Sequence, residues 1–255
     1  MQGKEGRVSL HTSLEDLQGK VAIITGASSG LGRATALALA AEGVRIVATA
    51  RRVERLEALK ADLNQETHRC AFVAGDAADP RVAEAAVALA LKEFGRIDIL
   101  VNNAGLGNYK ALVDTTVEDY DELMNSNMRS SFLFTRAVAP HLIAQRGGSV
   151  VFISSVAGLA GAANETVYSA SKFAQVGFAQ AVDEELRPYG IKVCALCPGG
   201  IKTEFAVGRG RKAEDVAKSP MMEPGDVADA VVFACMQPAN ARVPQMTVRH
   251  MGVRK

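Results

Sequence analysis

Tyr168 and Lys172 stand four residues apart in Tyr168-Ser169-Ala170-Ser171-Lys172, a spacing that puts a phenol and an ammonium on one face of a helix. A phenol ionises near pH ~10 and is a poor base at neutrality. A lysine cation held beside it favours the phenolate, so the pair can exchange a proton with an alcohol or carbonyl oxygen. Ser155 offers a third polar group. It closes the run Ser149-Val150-Val151-Phe152-Ile153-Ser154-Ser155, a buried-strand pattern ending in hydroxyls, and it can donate to a substrate oxygen as charge develops there. Ser154 is its rival. Asn127 enters by another route: the helical pattern from Val117 carries an apolar stripe through Leu123, Met124, Ser131, Phe134 and Val138 that includes this amide. A polar group on a core-facing stripe must find partners, either as a working residue or as a satisfied core asparagine.

A second cluster could hold a nucleotide. The strand-like Val21-Ala22-Ile23-Ile24-Thr25 runs into Gly26-Ala27-Ser28-Ser29-Gly30-Leu31-Gly32, and a strong helix former follows. Strand, glycine turn and helix together aim free N–H groups and the helix dipole at an anion such as a pyrophosphate. Glycines are needed where a Cβ would block the turn or the approach of the phosphates. The spacing is G-x-x-x-G-x-G rather than G-x-G-x-x-G. At the end of the second strand, where NAD-selective proteins carry an acidic residue, stand Thr49-Ala50-Arg51-Arg52. A guanidinium can grip a 2′-phosphate through paired hydrogen bonds where a carboxylate would repel it. NADP(H) is therefore expected over NAD(H), with Arg51 the stronger candidate and Arg52 beside it.

These residues need a scaffold that brings them together. Short β-branched runs alternate with long amphipathic stretches, the pattern of βαβ units feeding a parallel sheet. Strands are expected near 20–25, 44–49, 69–74, 97–102, 149–154, 191–196 and 243–248, and helices over 31–42, 53–63, 80–94, 117–145, 167–187 and 227–236. Asp79 before Pro80 reads as a helix start and Gly95 as a stop. No linker or repeat divides the 255 residues, so one doubly wound Rossmann-type domain over 19–255 is expected: a seven-stranded parallel sheet with helices on both faces. Residues 1–18 read as a loosely held extension. In such a sheet ligands bind beyond the carboxyl ends of the strands, where both clusters fall.

Composition excludes several classes. A net charge of +1, from 29 basic and 28 acidic residues, provides no field for gathering nucleic acid or an anionic membrane. No long uncharged apolar run or secretory leader is visible, so a soluble cytoplasmic protein is expected. Cys194 and Cys197 form a CxxC, but on a buried-strand pattern rather than a helix N-terminus, and Cys70 and Cys235 are isolated; no metal site is expected.

Taken together, Thr25-Gly26-Ala27-Ser28-Ser29-Gly30-Leu31-Gly32, Asn102-Asn103-Ala104-Gly105, Ser155 thirteen residues before Tyr168, Tyr168-xxx-Lys172 and Pro198-Gly199 resemble the short-chain dehydrogenase/reductase family. The resemblance covers roughly Lys20 to Pro238. It implies an oxidoreductase with Tyr168 as acid/base, Ser155 orienting the carbonyl and Lys172 binding the nicotinamide ribose and lowering the Tyr168 pKa. Asn127 would hold a water in a proton relay. It further implies that Asp76, with Ala77, meets the adenine, that Asn103, Ala104 and Gly105 help hold the cofactor, and that Pro198, Gly199, Ile201 and Thr203 grip the nicotinamide carboxamide. A homotetramer or dimer is implied as well, built on the helices bearing Asn127 and Tyr168.

The implied substrate is a small secondary alcohol or ketone: a 3-oxoacyl thioester, a hydroxy acid or another small carbonyl. The ending Val243-Pro244-Gln245-Met246-Thr247-Val248-Arg249-His250, with its basic tail, departs from the glycine-rich ending of many fatty-acyl-type members. Between Thr203 and Pro224 a substrate-covering segment is expected, with Arg209, Arg211, Lys212 and Lys218 against Glu204, Glu214, Asp215 and Glu223. Its basic tilt suits an anionic substrate or a solvated face, and Gly208 and Gly210 suggest a lid that moves. Two rivals are a non-catalytic nucleotide sensor, against which the intact Asn, Ser, Tyr and Lys set argues, and a sugar-nucleotide epimerase, which needs a larger C-terminal region.

Overall fold

The computed structural model describes residues 14–65 and 69–252. Seven strands, β1 (Val21–Thr25), β2 (Arg45–Ala50), β3 (Cys70–Ala74), β4 (Ile99–Asn102), β5 (Gly148–Ile153), β6 (Ile191–Pro198) and β7 (Gln245–Val248), form one sheet in the order β3-β2-β1-β4-β5-β6-β7. Every pairing is parallel. A parallel sheet must be covered on both faces, and its inner strands accordingly read as unbroken apolar runs. In β1, Ala22 and Ile24 pack with α1 (Gly30–Ala41), α2 (Val53–Leu63) and α8 (Pro224–Cys235), while Val21 and Ile23 face the other layer. That layer holds α3 (Pro80–Phe94), α5 (Ser130–Gln145) and α6 (Thr166–Leu186). Strand order reverses at β1, so a crevice opens at the carboxyl ends of β1 and β4. The doubly wound architecture is as the sequence pattern implied.

Local punctuation works as expected at α3: the Asp79 carboxylate accepts the Arg81 N–H at 2.9 Å, Pro80 begins the helix, and Gly95 closes it at φ +78°. The expected single helix over 117–145 is instead α4 (Val117–Met124), a π-turn over Asn125–Arg129, and α5. In the π-turn Ser130 N–H reaches back five residues to Asn125, and periodicity does not foresee the inserted residue.

A short helix α7 (Ala213–Lys218) lies in the substrate-covering segment, too brief to leave an apolar period. Residues 14–18 correct the expected loose extension: Leu17 is buried in the core and Glu15 N–H donates to Met236 O at 2.7 Å. Residues 1–13, and 253–255 of the basic tail, lie outside the described residues. Cys194 and Cys197, three apart on β6, join the cores on opposite faces of the sheet and cannot converge. Burial pushes the Cys194 thiol up to about 12, so it behaves as a small hydrophobe.

Candidate active site

At the crevice the β1–α1 turn is built by backbone. Gly26 and Gly30 hold φ of +67° and +51°, where side chains are strained. A Cβ on Gly32 would come within 2.3 Å of the Gly26 carbonyl oxygen. The Thr25 hydroxyl accepts the N–H groups of Asn103 and Ala104 at 2.9 and 2.8 Å, and the Asn103 amide donates to Thr25 O at 2.8 Å. The end of β4 is thus sewn to the turn, and Asn103 acts on the pocket by fixing the turn's shape. Ser29 occupies the N-cap of α1 without capping it, so the first N–H groups of the helix are left to a ligand. A cradle that a Cβ would fill, at an uncapped helix start, fits the pyrophosphate of a dinucleotide.

The two arginines after β2 differ. Arg52 is engaged: it donates to the hydroxyls of Ser28 at 3.1 Å and Ser29 at 2.6 Å, and pairs with Glu204 at 2.9 Å. Arg51 is exposed and makes no hydrogen bond or ion pair among the described residues, so it is the guanidinium available to a phosphate. Both line one cleft of about 690 Å3 with Asp76 and Ala77.

At the other end of the same cleft stand Ser155, Tyr168 and Lys172. Ser155 follows β5, its hydroxyl accepts Ala157 N–H at 3.1 Å, and it lies near enough to the buried Tyr168 phenol to lower its pKa. Ser154 points elsewhere: its hydroxyl donates to Lys172 O at 3.0 Å, and a Cβ on Gly158 would collide with that same contact. Burial pushes the Tyr168 phenol well above its usual value and Tyr109 adds to the rise, while the Ser155 hydrogen bond works against it. Burial also pulls the Lys172 amine down, to about 7. Against that pull, Lys172 donates to Ile153 O at 2.9 Å and to the Gln175 carbonyl oxygen at 2.8 Å, two acceptors that favour its charged form.

Gln175 ties this amine to Asn127. Its amide nitrogen donates to Asn127 O at 2.9 Å and to the Ser131 hydroxyl at 2.8 Å. The Asn127 carbonyl sits in the π-turn and takes a second side-chain bond from Ser131 at 2.9 Å. The Asn127 amide is itself satisfied, accepting Leu106 N–H at 2.8 Å and donating to Leu106 O and the Ser171 hydroxyl. Asn127 is therefore brought against the site from behind, one layer below the cleft. Every other residue expected from sequence to be catalytic or cofactor-binding lines the cleft, including Leu31, Gly105, Pro198, Gly199, Ile201 and Thr203.

Sequence reasoning missed Gln175, although a polar residue three positions after Lys172 on the buried face of α6 was the available signal. It also missed the roof. The Tyr109 and Phe205 rings stand 5.6 and 5.9 Å from the Tyr168 ring, and Arg211 packs on both. These residues come from loops with no periodicity to read. Gly208 and Gly210, expected to let a lid move, serve turn geometry at φ of +77° and +99°, and Tyr109 N–H donates to Arg209 O at 3.0 Å, tying the segment down.

A profile described as short chain dehydrogenase matches residues 20–214. An uncharacterised oxidoreductase of Staphylococcus haemolyticus is 33% identical over 236 residues, 92% of this chain and 99% of that one. A 3-oxoacyl-[acyl-carrier-protein] reductase of Thermotoga maritima is 35% identical over 222 residues, 85% of this chain and 90% of its own length. Among solved structures, the closed form of serine dehydrogenase complexed with NADP+ superposes with a TM-score of 0.85 at 28% identity, covering 92% and 98% of the two chains.

Proposed function

We propose, starting from the fact that the chain belongs to the short-chain dehydrogenase/reductase family and is an alcohol/ketone oxidoreductase, that it uses NADP(H), with Tyr168 as its acid/base. The single observation that carries the reading is convergence: Ser155, Tyr168 and Lys172 meet in the cleft that also holds the glycine turn and Arg51.

When bound, the nicotinamide accepts or supplies the hydride at the carbinol carbon. The chain's own residues handle the proton and the geometry. In the oxidising direction Tyr168 takes the hydroxyl proton as the carbonyl forms, and in reduction it returns one. Ser155 donates to the substrate oxygen and holds it against the phenol. The burial that raises the phenol makes an isolated phenolate costly, and the Lys172 amine alongside, 5.8 Å from the Tyr168 ring centre, offsets that cost in the molecules in which it is protonated. Lys172 also holds the nicotinamide ribose. Gln175 and Asn127 position Lys172 from behind and form the start of a proton route to it.

At the nucleotide end, Gly26, Ser28, Ser29, Gly30, Leu31 and Gly32 cradle the pyrophosphate. Arg51, with Arg52, binds the 2′-phosphate, and Asp76 and Ala77 meet the adenine. Asn103, Ala104 and Gly105 shape the floor, while Pro198, Gly199, Ile201 and Thr203 hold the carboxamide. The NADP+ bound to the serine dehydrogenase neighbour supports this choice over NAD(H). Residues 19–255 act as one unit. Exposed Phe132 on α5 and Phe173 on α6 support a homodimer or homotetramer assembled through those helices. Four free, buried cysteines suit the reducing cytoplasm. Incubation with NADPH and a panel of small ketones, followed at the reduced-nicotinamide absorbance, tests the reading: steady oxidation supports it, and tight NADPH binding without turnover on any ketone replaces it with a nucleotide sensor.

A further inference from the structure

Besides Lys172, the charged side chains Arg209, Arg211 and Glu165 line the cleft near Tyr168. An uncharged ketone has no use for any of them. Arg209 is already neutralised by a two-pronged pair with Glu122 at 2.6 and 2.9 Å. Arg211 is not. Its guanidinium carbon lies 5.2 Å from the centre of the Tyr109 ring and 5.8 Å from that of Phe205, and no carboxylate comes within ion-pair distance of it among the described residues.

Its backbone is fixed by Arg211 N–H to Ala206 O at 3.1 Å and Gly208 N–H to Arg211 O at 3.0 Å, so the cation is presented by a formed turn. Glu165 stands three residues before Tyr168 at the N-cap of α6, yet its carboxylate does not cap the helix. Nor does it take a hydrogen bond or ion pair among the described residues. Burial raises its pKa while Arg211 pulls it down, which places the two charges within each other's field but unpaired.

Two half-buried charges of opposite sign, neither held in an ion pair, line the cleft together with Tyr168, and a ligand that meets both gains what neither has in the protein alone. We propose that the catalytic end is built for a zwitterion, a small hydroxy-amino acid or its oxo form, whose carboxylate pairs with Arg211 and whose ammonium pairs with Glu165 while Tyr168 and Ser155 hold the carbinol oxygen. A substrate with a carboxylate alone would satisfy Arg211 and face Glu165; one with an amine alone would do the reverse. Tyr109 and Phe205 wall the space and limit it to a short chain. This substrate class rests on the oxidoreductase reading given above.

The test compares four matched alcohols with NADP+: threonine in all four stereoisomers, 3-hydroxybutyrate, 1-amino-2-propanol and 2-butanol. The expected kcat/KM for the best threonine isomer is at least a hundredfold above 2-butanol and at least tenfold above either singly charged alcohol. Arg211→Met and Glu165→Gln should each lower the threonine-to-2-butanol ratio at least tenfold. Calorimetric binding of the same four compounds to the NADP+-loaded protein should give the same order. A 3-hydroxybutyrate preference over threonine, or 2-butanol matching it, overturns the zwitterion. If nothing is oxidised but the calorimetric order holds and depends on both residues, the binding inference stands and the oxidoreductase reading falls; a flat calorimetric order sinks the inference by itself.

Discussion

The two ends of the cleft are made of different materials. The nucleotide end is mostly backbone: a glycine turn held by Thr25 and Asn103, an uncapped helix start, and one uncommitted guanidinium on Arg51. The catalytic end is mostly side chain: Ser155 and Tyr168 in front, Lys172 beside them, and a buried lattice of Gln175, Asn127, Ser131 and Ser171 behind. A backbone cradle follows from where glycines fall in one short stretch of chain. The side chains of the catalytic end come from three separate stretches, 127–131, 155 and 168–175, and nothing in any one of them announces the others. The same difference predicts how each end fails, with the front breaking chemistry, the cradle breaking cofactor choice, and the lattice breaking the pH response.

The largest effect is expected at the front. Ser155→Ala should lower kcat by about 10²–10³, as loss of an oxyanion-type donor does, with the dissociation constant for NADPH little changed; stopped-flow turnover beside fluorescence titration separates the two quantities. A parallel loss of cofactor binding would merge the two ends and break the comparison. Next, Arg51→Ala should raise KM for NADPH about tenfold or more relative to NADH, since a charge-assisted contact to phosphate contributes about 1.5–3 kcal/mol. Equal changes for both cofactors would remove Arg51 from the phosphate site and leave Arg52, freed from Glu204, as the alternative.

A smaller effect belongs to the lattice. Gln175→Met removes one acceptor from Lys172 and leaves the Asn127 carbonyl with a single side-chain donor. A several-fold loss of kcat is expected, together with a displaced pH–rate profile, whereas a merely structural role would lower stability and leave the profile in place. The smallest effect is on stability. Lys172 titrates near 7 in the fold against a usual 10.5, so between these values the unfolded chain holds more protons and stability rises with pH. Below about pH 7 both states are protonated and that slope vanishes. Urea unfolding of the wild type relative to Lys172→Met from pH 7 to 9 should show the rise; a flat difference would mean that Lys172 stays fully charged in the fold.

How much of this was legible follows the same division. The sheet, its helices and the glycine turn were readable because period and glycine spacing are local properties. The CxxC was rightly read as buried strand, since residues three apart on β6 face opposite layers. The π-turn was not readable: it inserts one residue into a strong helical pattern, and only the packing of Asn127 against Leu106 and α6 reveals why. Leu17 was lost in a polar segment although its side chain closes the core. Arg211 looked like one charge among several in a basic stretch, and it stands apart only after Arg209 and Arg52 are seen to be paired.

The most direct test of the central claim is Tyr168→Phe, measured for NADPH binding and for turnover on the same preparation. The shared cleft predicts a dissociation constant within a few-fold of wild type and a loss of turnover on the order of 10³ or more. Turnover within tenfold of wild type would show that the proton passes through another group, and the assigned chemistry would be wrong.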